Sequence, residues 1–244
     1  MRTWWILLLL VNGSLISFAQ ADSSKKINPL GRLQKLAGKI GQSNALSNDQ
    51  IVQGLKEALS IGAERGTQKL SATDGFFANA ALKILLPEEA QKVERTLRSM
   101  GLGKQVDQAI LSMNRAAEDA ARSAAPIFVQ AVKEMTLQDA VGILKGTDTA
   151  ATAYLRGKTS AKITEAFRPV IEKSLEKVEA TKYWNTVFST YNKVALTKVN
   201  PDLSAYVTDK ALQGIFVQLG QEEAKIRKDP AARTTEILKT VFKQ

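Results

Sequence analysis

Thr149, Thr152 and Arg156 have the types and spacing to hold an anion. They lie in the stretch ILKGTDTAATAYLRGKT, Ile143–Thr159, where an apolar segment stops at Gly146 and gives way to hydroxyls, small residues, one acid and an arginine. A helix starting at Thr147 or Asp148 puts the three side chains on one face by three- and four-residue spacing. An arginine beside hydroxyls suits a carboxylate, phosphate or sulfate group. Asp148 then either caps the helix or projects from its entrance. The same residues also have a structural reading: Asp148 caps, the threonines bond back to carbonyls, and Arg156 pairs with an acid. An acidic cap takes the place an anion would fill. Structure is therefore the first expectation and ligand binding the second.

A second polar group, Asn114, Arg115, Glu118, Asp119 and Arg122, lies in an alanine-rich segment. Arg115 precedes Glu118 and Asp119 by three and four residues, and Arg122 follows them at the same distances. That is the spacing of surface ion pairs, each contributing about 0.2–0.5 kcal/mol. The alternative is a buried network lining a cleft, which would bring Asn114 and Arg115 to the anion site. Glu222 and Glu223 are adjacent, so on a helix they point about 100° apart and form no convergent acid–base pair by themselves.

Other chemistry is restricted by composition. The chain has no histidine and no cysteine. A histidine general base, a histidine-based triad and a zinc site of cysteine and histidine are all excluded. Carboxylate, lysine and tyrosine chemistry remains open, but general acid–base work needs a perturbed group in a cleft. No phosphate-binding glycine loop or calcium-loop spacing is present. The expectation is a protein that is not an enzyme and holds no cofactor or metal. Tyr183, Trp184, Phe188 and Tyr191 recur at helical spacing and read as a core stripe with polar tips. A nucleic-acid stacking platform would need a basic groove beside them.

The elements that must position these residues are helices. No alternating run is bounded by turn residues, and valines and isoleucines occur singly at helical spacing. Ser47 with Gln50 resembles a capping box before Ile51, Leu55 and Leu59. Thr73 or Asp74 suits the start of a helix over the apolar segment Phe76–Leu86. Pro87, Glu88 and Glu89 open another, which Gly101 ends in a left-handed cap. A stripe from Val106 to Phe128 should break near Ala125 because of Pro126. Thr136 starts a short helix through Leu144, and Thr159 or Ser160 starts another that meets Pro169. Tyr183–Ala195 reads as helical. Asp202 caps a helix to about Lys228, and Asp229-Pro230 opens the last, whose edge is Ile237, Leu238, Val241 and Phe242. The fold expected is all-α, a compact multi-helix bundle of about nine or ten helices with no sheet.

The N-terminus reads as a secretory signal. Arg2 is a short basic start, Trp4–Val11 an apolar stretch, and Ala19-Gln20-Ala21 a small-x-small cleavage site. A spanning helix needs roughly 20 predominantly apolar residues, and Asn12, Gly13 and Ser14 interrupt this run. Removing residues 1–21, whose only charge is Arg2, lowers the net charge of +10 by one, to +9. Residues 22–46 form a basic arm in which Leu33, Leu36, Ala37 and Ile40 share one helical arc and Arg32, Lys35 and Lys39 another. Such a segment can lie on an anionic membrane or envelope polymer, dock on its own domain, or stay mobile. Residues 47–244 read as a single all-α domain.

Four separated motifs resemble the bacterial DUF4197 family: MNRAAEDAA (Met113–Ala121), GTDTAATAYLR (Gly146–Arg156), YVTDKALQGIF (Tyr206–Phe216) and EEAKIRKDPAARTTEILKTVF (Glu222–Phe242). The resemblance covers roughly Leu46 to the C-terminus. It implies an exported helical protein and transfers no catalytic residue. Some members resemble lipoproteins, a pattern this chain departs from because it has no cysteine. The resulting expectation is an exported, periplasmic or extracellular binding or structural protein. Its partner would be an anionic small molecule or envelope polymer rather than nucleic acid. The alternative is peripheral attachment to a membrane or cell wall through the arm.

Overall fold

The structure, a computed structural model, describes residues 47–177, 184, 192–193, 202–229 and 239. The expected signal segment, the expected arm with Arg32, Lys35 and Lys39, the aromatics Tyr183, Phe188 and Tyr191, and the apolar edge expected of a last helix (Ile237, Leu238, Val241 and Phe242) lie outside the described residues. Among the described residues there are seven α-helices and one 3-10 turn, with no strand. They are α1 (Asn48–Ser71), the 3-10 turn Glu88–Ala90, α2 (Gln91–Ser99), α3 (Gly103–Ala121), α4 (Ala124–Lys133), α5 (Leu137–Lys145), α6 (Ala150–Glu176) and α7 (Leu203–Lys228). Residues Leu46–Gln244 form one compact unit.

Helix α6 is the central element and packs against α3, α4, α5 and α7. Its buried side recurs every fourth residue, through Leu155, Thr159, Ile163, Phe167, Ile171 and Leu175. Helix α3 presents Ala116, Ala117, Ala120 and Ala121 to the same core, and these small side chains let neighbouring backbones approach. Between α4 and α7, Phe128 meets Phe216 edge to face with ring centroids 5.8 Å apart, a favoured aromatic geometry.

Several boundaries follow the expected chemistry. Ser47 and Gln50 form a reciprocal capping box, with Gln50 N–H donating to Ser47 Oγ and Ser47 N–H to Gln50 Oε1. Thr136 and Asp139 form another at α5. Gly101 has φ +83°, and the N–H of Leu102 reaches back to Leu97 O at 2.9 Å, closing α2 as a left-handed cap should.

Three boundaries differ. The break before Pro126 falls at Arg122–Ser123, leaving Pro126 in the first turn of α4, where a missing N–H costs no helical bond. No helix starts at Thr159 or Ser160. Both hydroxyls donate back to carbonyls four residues earlier, Leu155 O and Arg156 O, each at 2.6 Å, so α6 runs through with Pro169 inside it. The apolar segment Phe76–Leu86 is not a helix but a chain of turns. Asp74 sits at φ 69°. A Cβ on Gly75 would come within 2.5 Å of the carbonyl oxygens of Lys69 and Leu70, so the chain doubles back closely on the end of α1. Side chains of α3 then take the backbone donors that a helix would have satisfied internally.

The caps make stability depend on pH. Backbone and hydroxyl donors of Thr136 hold the Asp139 carboxyl below its ordinary value of 3.8. The N–H of Ala205, aided by Arg168, does the same for Asp202. Carboxyls depressed on folding contribute stability above their unfolded value and lose it as pH falls through the folded one. Burial pushes the Tyr206 phenol up to about 12 from its ordinary 10.0, so that contribution is complete below pH 10.0 and disappears as pH rises through about 12. Unfolding midpoints measured across pH should therefore fall on the acid side below about pH 4. Tyr206→Phe should remove part of the alkaline loss. A flat profile below pH 4 would show that the carboxyl caps do not stabilise the fold.

Candidate functional site

The entrance of α6 is built by three elements. Helix α5 ends at Lys145, the chain turns through Gly146–Asp148, and α6 begins after Thr149, which makes no side-chain cap bond. The first N–H groups of α6 are therefore orphan donors carrying the positive end of the helix dipole. An internal carboxylate satisfies them. Glu223 of α7 accepts from Ala151 N–H at 3.0 Å, from Thr152 N–H at 2.8 Å and from the Thr152 hydroxyl at 2.8 Å. Arg227, one turn further along α7, donates from Nε and Nη2 to Glu223 Oε1 at 3.0 and 2.8 Å. Its Nη2 also reaches Ile143 O at the end of α5, at 2.9 Å. The Glu223 and Arg227 side chains keep only 6% and 12% of their exposure. This couple ties α5, α6 and α7 together.

The residues expected to form an anion site are divided by this arrangement. Thr152 is buried and belongs to the Glu223 network. Asp148 does not cap α6. It pairs with Lys228 at 2.7 Å on the surface, and that ammonium holds its carboxyl below the ordinary value. Thr149 is exposed, with its hydroxyl 3.4 Å from that of Thr147. Arg156 is exposed, and its guanidinium carbon sits over the Phe216 ring, 4.6 Å from the centroid. Among the described residues, no acid forms an ion pair with Arg156. Glu222 and Glu223 diverge, Glu222 accepting from Gln218 Nε2 at 2.9 Å.

The second group serves another purpose. Asn114 is fully buried and reads both polar groups of Ile84: Oδ1 accepts from Ile84 N–H at 2.8 Å and Nδ2 donates to Ile84 O at 2.9 Å. Glu118, expected on the surface, is buried. Its Oε1 accepts from Phe76 and Phe77 N–H at 3.1 and 3.2 Å, and its Oε2 pairs with Arg115 at 2.6 Å. Arg115 also bridges to Asp74 at 2.7 Å. Of the group expected as surface ion pairs, Asn114, Arg115 and Glu118 are a clamp on the turn segment, because Phe76 and Ile84 enter the core with backbone donors that need acceptors, while exposed Asp119 accepts from Ser174 Oγ at 3.0 Å and Arg122 is exposed. Among the described residues, Asn114 and Arg115 share no partner with Thr149, Thr152 or Arg156.

Beside Glu223 lies a cavity of about 20 Å³, lined largely by apolar groups including Ala58, Gly62, Leu155 and Ile226. Room of that size suits one water. The role of Glu223 and Arg227 was missed in the sequence, although their four-residue spacing in EEAKIR is that of a helical ion pair. What the pair caps is set by tertiary packing.

The fold and site define an all-α domain whose buried acids act as acceptors for its own backbone. The chain belongs to the DUF4197 family, described as a protein of unknown function, whose model matches residues 45–243. No curated protein and no solved structure matches it.

Proposed function

We propose that the chain is a non-catalytic binding or structural domain, exported to the bacterial envelope, that meets an anionic partner at the surface around Arg156 and Thr149. The observation that carries this reading is Arg156 itself. Its guanidinium is exposed, lies over a buried ring and pairs with no acid among the described residues. Thr149 is the residue at which α6 is entered, seven positions before Arg156, and is exposed as well. The site is a surface contact rather than an enclosed cleft, since Glu223 already occupies the helix entrance. Carboxylate, phosphate or sulfate groups of an envelope polymer or small molecule fit the guanidinium. The helices expected over Tyr183–Ala195 and after Pro230 would bring the bundle to nine; Trp184 and Lys239 are helical, while Asn192 and Lys193 are in a turn, which would end the first of them before Ala195.

Thermal-shift screening against envelope fragments and acidic sugars tests the site. A ligand at a hundredfold its dissociation constant should stabilise the fold by about 2.7 kcal/mol. Arg156→Ala should abolish that shift while lowering intrinsic stability by no more than about 1 kcal/mol, the scale of an exposed cation–π contact. A ligand that stabilises both proteins equally would remove Arg156 from the site. Turnover that follows the protein through purification, and is lost in a carboxylate variant, would overturn the non-catalytic reading.

A second reading rests on the separated arcs of the arm. Arg32, Lys35 and Lys39 would hold the domain on anionic lipid or cell-wall polymer, each basic residue contributing about 1 kcal/mol near the surface. Such binding should weaken steeply as salt rises. Deleting residues 22–45 should remove it while the body, whose own capping box begins at Ser47, stays folded. Equal sedimentation of full-length and truncated protein with anionic vesicles would rule the arm out as the anchor.

A further inference from the structure

We propose that the Asp74–Gly75 bond is a site of spontaneous isoaspartate formation, and that Arg115 holds this reaction in check. Asp74–Gly75 is the one Asp-Gly pair of the sequence, and the related Asn-Gly pair occurs only at Asn12–Gly13. At such a pair the backbone nitrogen of the glycine attacks the side-chain carboxyl carbon of the acid. A new C–N bond closes a five-membered succinimide, and the carboxyl hydroxyl leaves as water with the amide proton. Water then adds at the main-chain carbonyl of the ring and the C–N bond there breaks, the nitrogen taking the proton. The chain now runs through the side-chain carboxyl carbon. Composition is unchanged, since one water leaves and one enters. Glycine favours the attack because it has no Cβ to hinder its nitrogen.

The turn exposes this pair but locks both reacting groups. Asp74 sits at φ 69° with half of its side chain exposed, in a region that Asp tolerates better than most residues do. The attacking nitrogen is tied down, because Gly75 N–H donates to Ala72 O at 3.0 Å. The carboxyl is held as well: Arg115 Nη2 donates to Asp74 Oδ1 at 2.7 Å. Arg115 is itself fixed at its other arm, where Nη1 donates to buried Glu118 at 2.6 Å. The carboxyl is thus anchored to α3, and ring closure has to break that ion pair first.

The change would matter to the fold because the turn has no slack. A Cβ on Gly75 would come within 2.5 Å of two carbonyl oxygens of α1. The next two N–H groups, of Phe76 and Phe77, are bonded to Glu118. An isoaspartate adds one backbone carbon before Gly75, so Gly75 in its slot and Phe76 N–H on Glu118 cannot both be kept. Molecules that carry it should open over residues 72–86 while α6 and α7 hold.

The test is peptide mapping of the chain beginning at Asp22, aged at neutral pH below its unfolding midpoint, folded and in urea. Isoaspartate at position 74 is read as resistance to an endoproteinase that cleaves before Asp. Folded wild type should react more slowly than the urea-unfolded chain. Arg115→Gln should raise the folded rate about fivefold, the factor equivalent to one surface ion pair. Asn114→Ala frees the turn segment at Ile84 and leaves the Arg115–Asp74 pair in place, so its rate should match wild type. Asp74→Gly, which suits the positive φ, should form no isoaspartate and show exchange over residues 72–86 that ageing does not change, whereas exchange there should quicken in aged wild type. Folded wild type reacting as fast as the unfolded chain would overturn the proposal without any variant. So would Arg115→Gln reacting at the wild-type rate, which assigns the protection to the turn backbone alone. Asn114→Ala reacting as fast as Arg115→Gln would overturn it too, because opening of the whole segment would then set the rate.

Discussion

Glu223→Ala is expected to destabilise the domain by about 3–5 kcal/mol, the usual cost of removing one partner of a buried charge pair. Its carboxylate accepts the N–H groups of Ala151 and Thr152, the Thr152 hydroxyl and two bonds from Arg227. Alanine leaves those donors without their acceptor in a place with room for about one water. A domain of this size loses roughly 2–4 °C of midpoint per kcal/mol. The fall in Tm should therefore be about 6–20 °C. Glu223→Gln should lie between the two proteins, because the amide oxygen can still accept while its NH2 faces donors. Urea unfolding with an unchanged m value would locate the effect in stability rather than compactness. The variant also probes the anion chemistry of this helix entrance. With Glu223 gone, the dipole and free N–H groups should attract sulfate or phosphate, which should restore part of the loss in Glu223→Ala and do little for wild type. A midpoint within about 1 kcal/mol of wild type would mean that the couple adds nothing beyond an ordinary surface pair.

What could be read in the sequence depended on how local its cause was. The capping boxes at Ser47 and Thr136, the left-handed stop at Gly101 and the Asp202 cap each involve residues within a few positions of one another. Backbone geometry alone dictates them. The segment Phe76–Leu86 looked helical because its apolar content matched a helix. What it lacked was visible only in space: acceptors on α3, some 30 to 40 residues away, that satisfy an irregular backbone. The stretch from Asp148 to Arg156 reads in sequence as a helix starting at Thr147 or Asp148, with Asp148 as its cap or an outside anion on Thr149, Thr152 and Arg156, whereas the helix starts at Ala150. The anion proved to be the chain's own Glu223, 71 residues beyond Thr152. Asp148, the acid adjacent in sequence, pairs with Lys228 instead, because the helix starts two residues later than its position suggests and leaves it outside the first turn.

Glu118→Ala should act on a more local part of the fold. One oxygen of Glu118 holds the N–H groups of Phe76 and Phe77, and the other holds Arg115, whose second arm fixes Asp74 in its left-handed turn. An orphaned buried donor costs about 1–3 kcal/mol, and one of the two N–H groups is fully buried while the other is partly so. A total loss of about 3 kcal/mol is expected. The signature lies in its distribution. Amide hydrogen exchange should accelerate most over residues 72–86, while the amides of α6 and α7 change only as far as global stability falls. Asn114→Ala releases the other end of the same segment at Ile84, so the double variant should lose less than the sum of the singles, as sites on one clamp do. Phe76 gives the segment its hold on the body: it is fully buried, and a Cβ on Gly214 would meet its ring at 2.6 Å. Gly214→Ala should therefore also speed exchange over residues 72–86 with Glu118 intact. Uniform acceleration along the whole chain in Glu118→Ala would show that the turn segment is part of the global folding unit rather than a strap clamped to it.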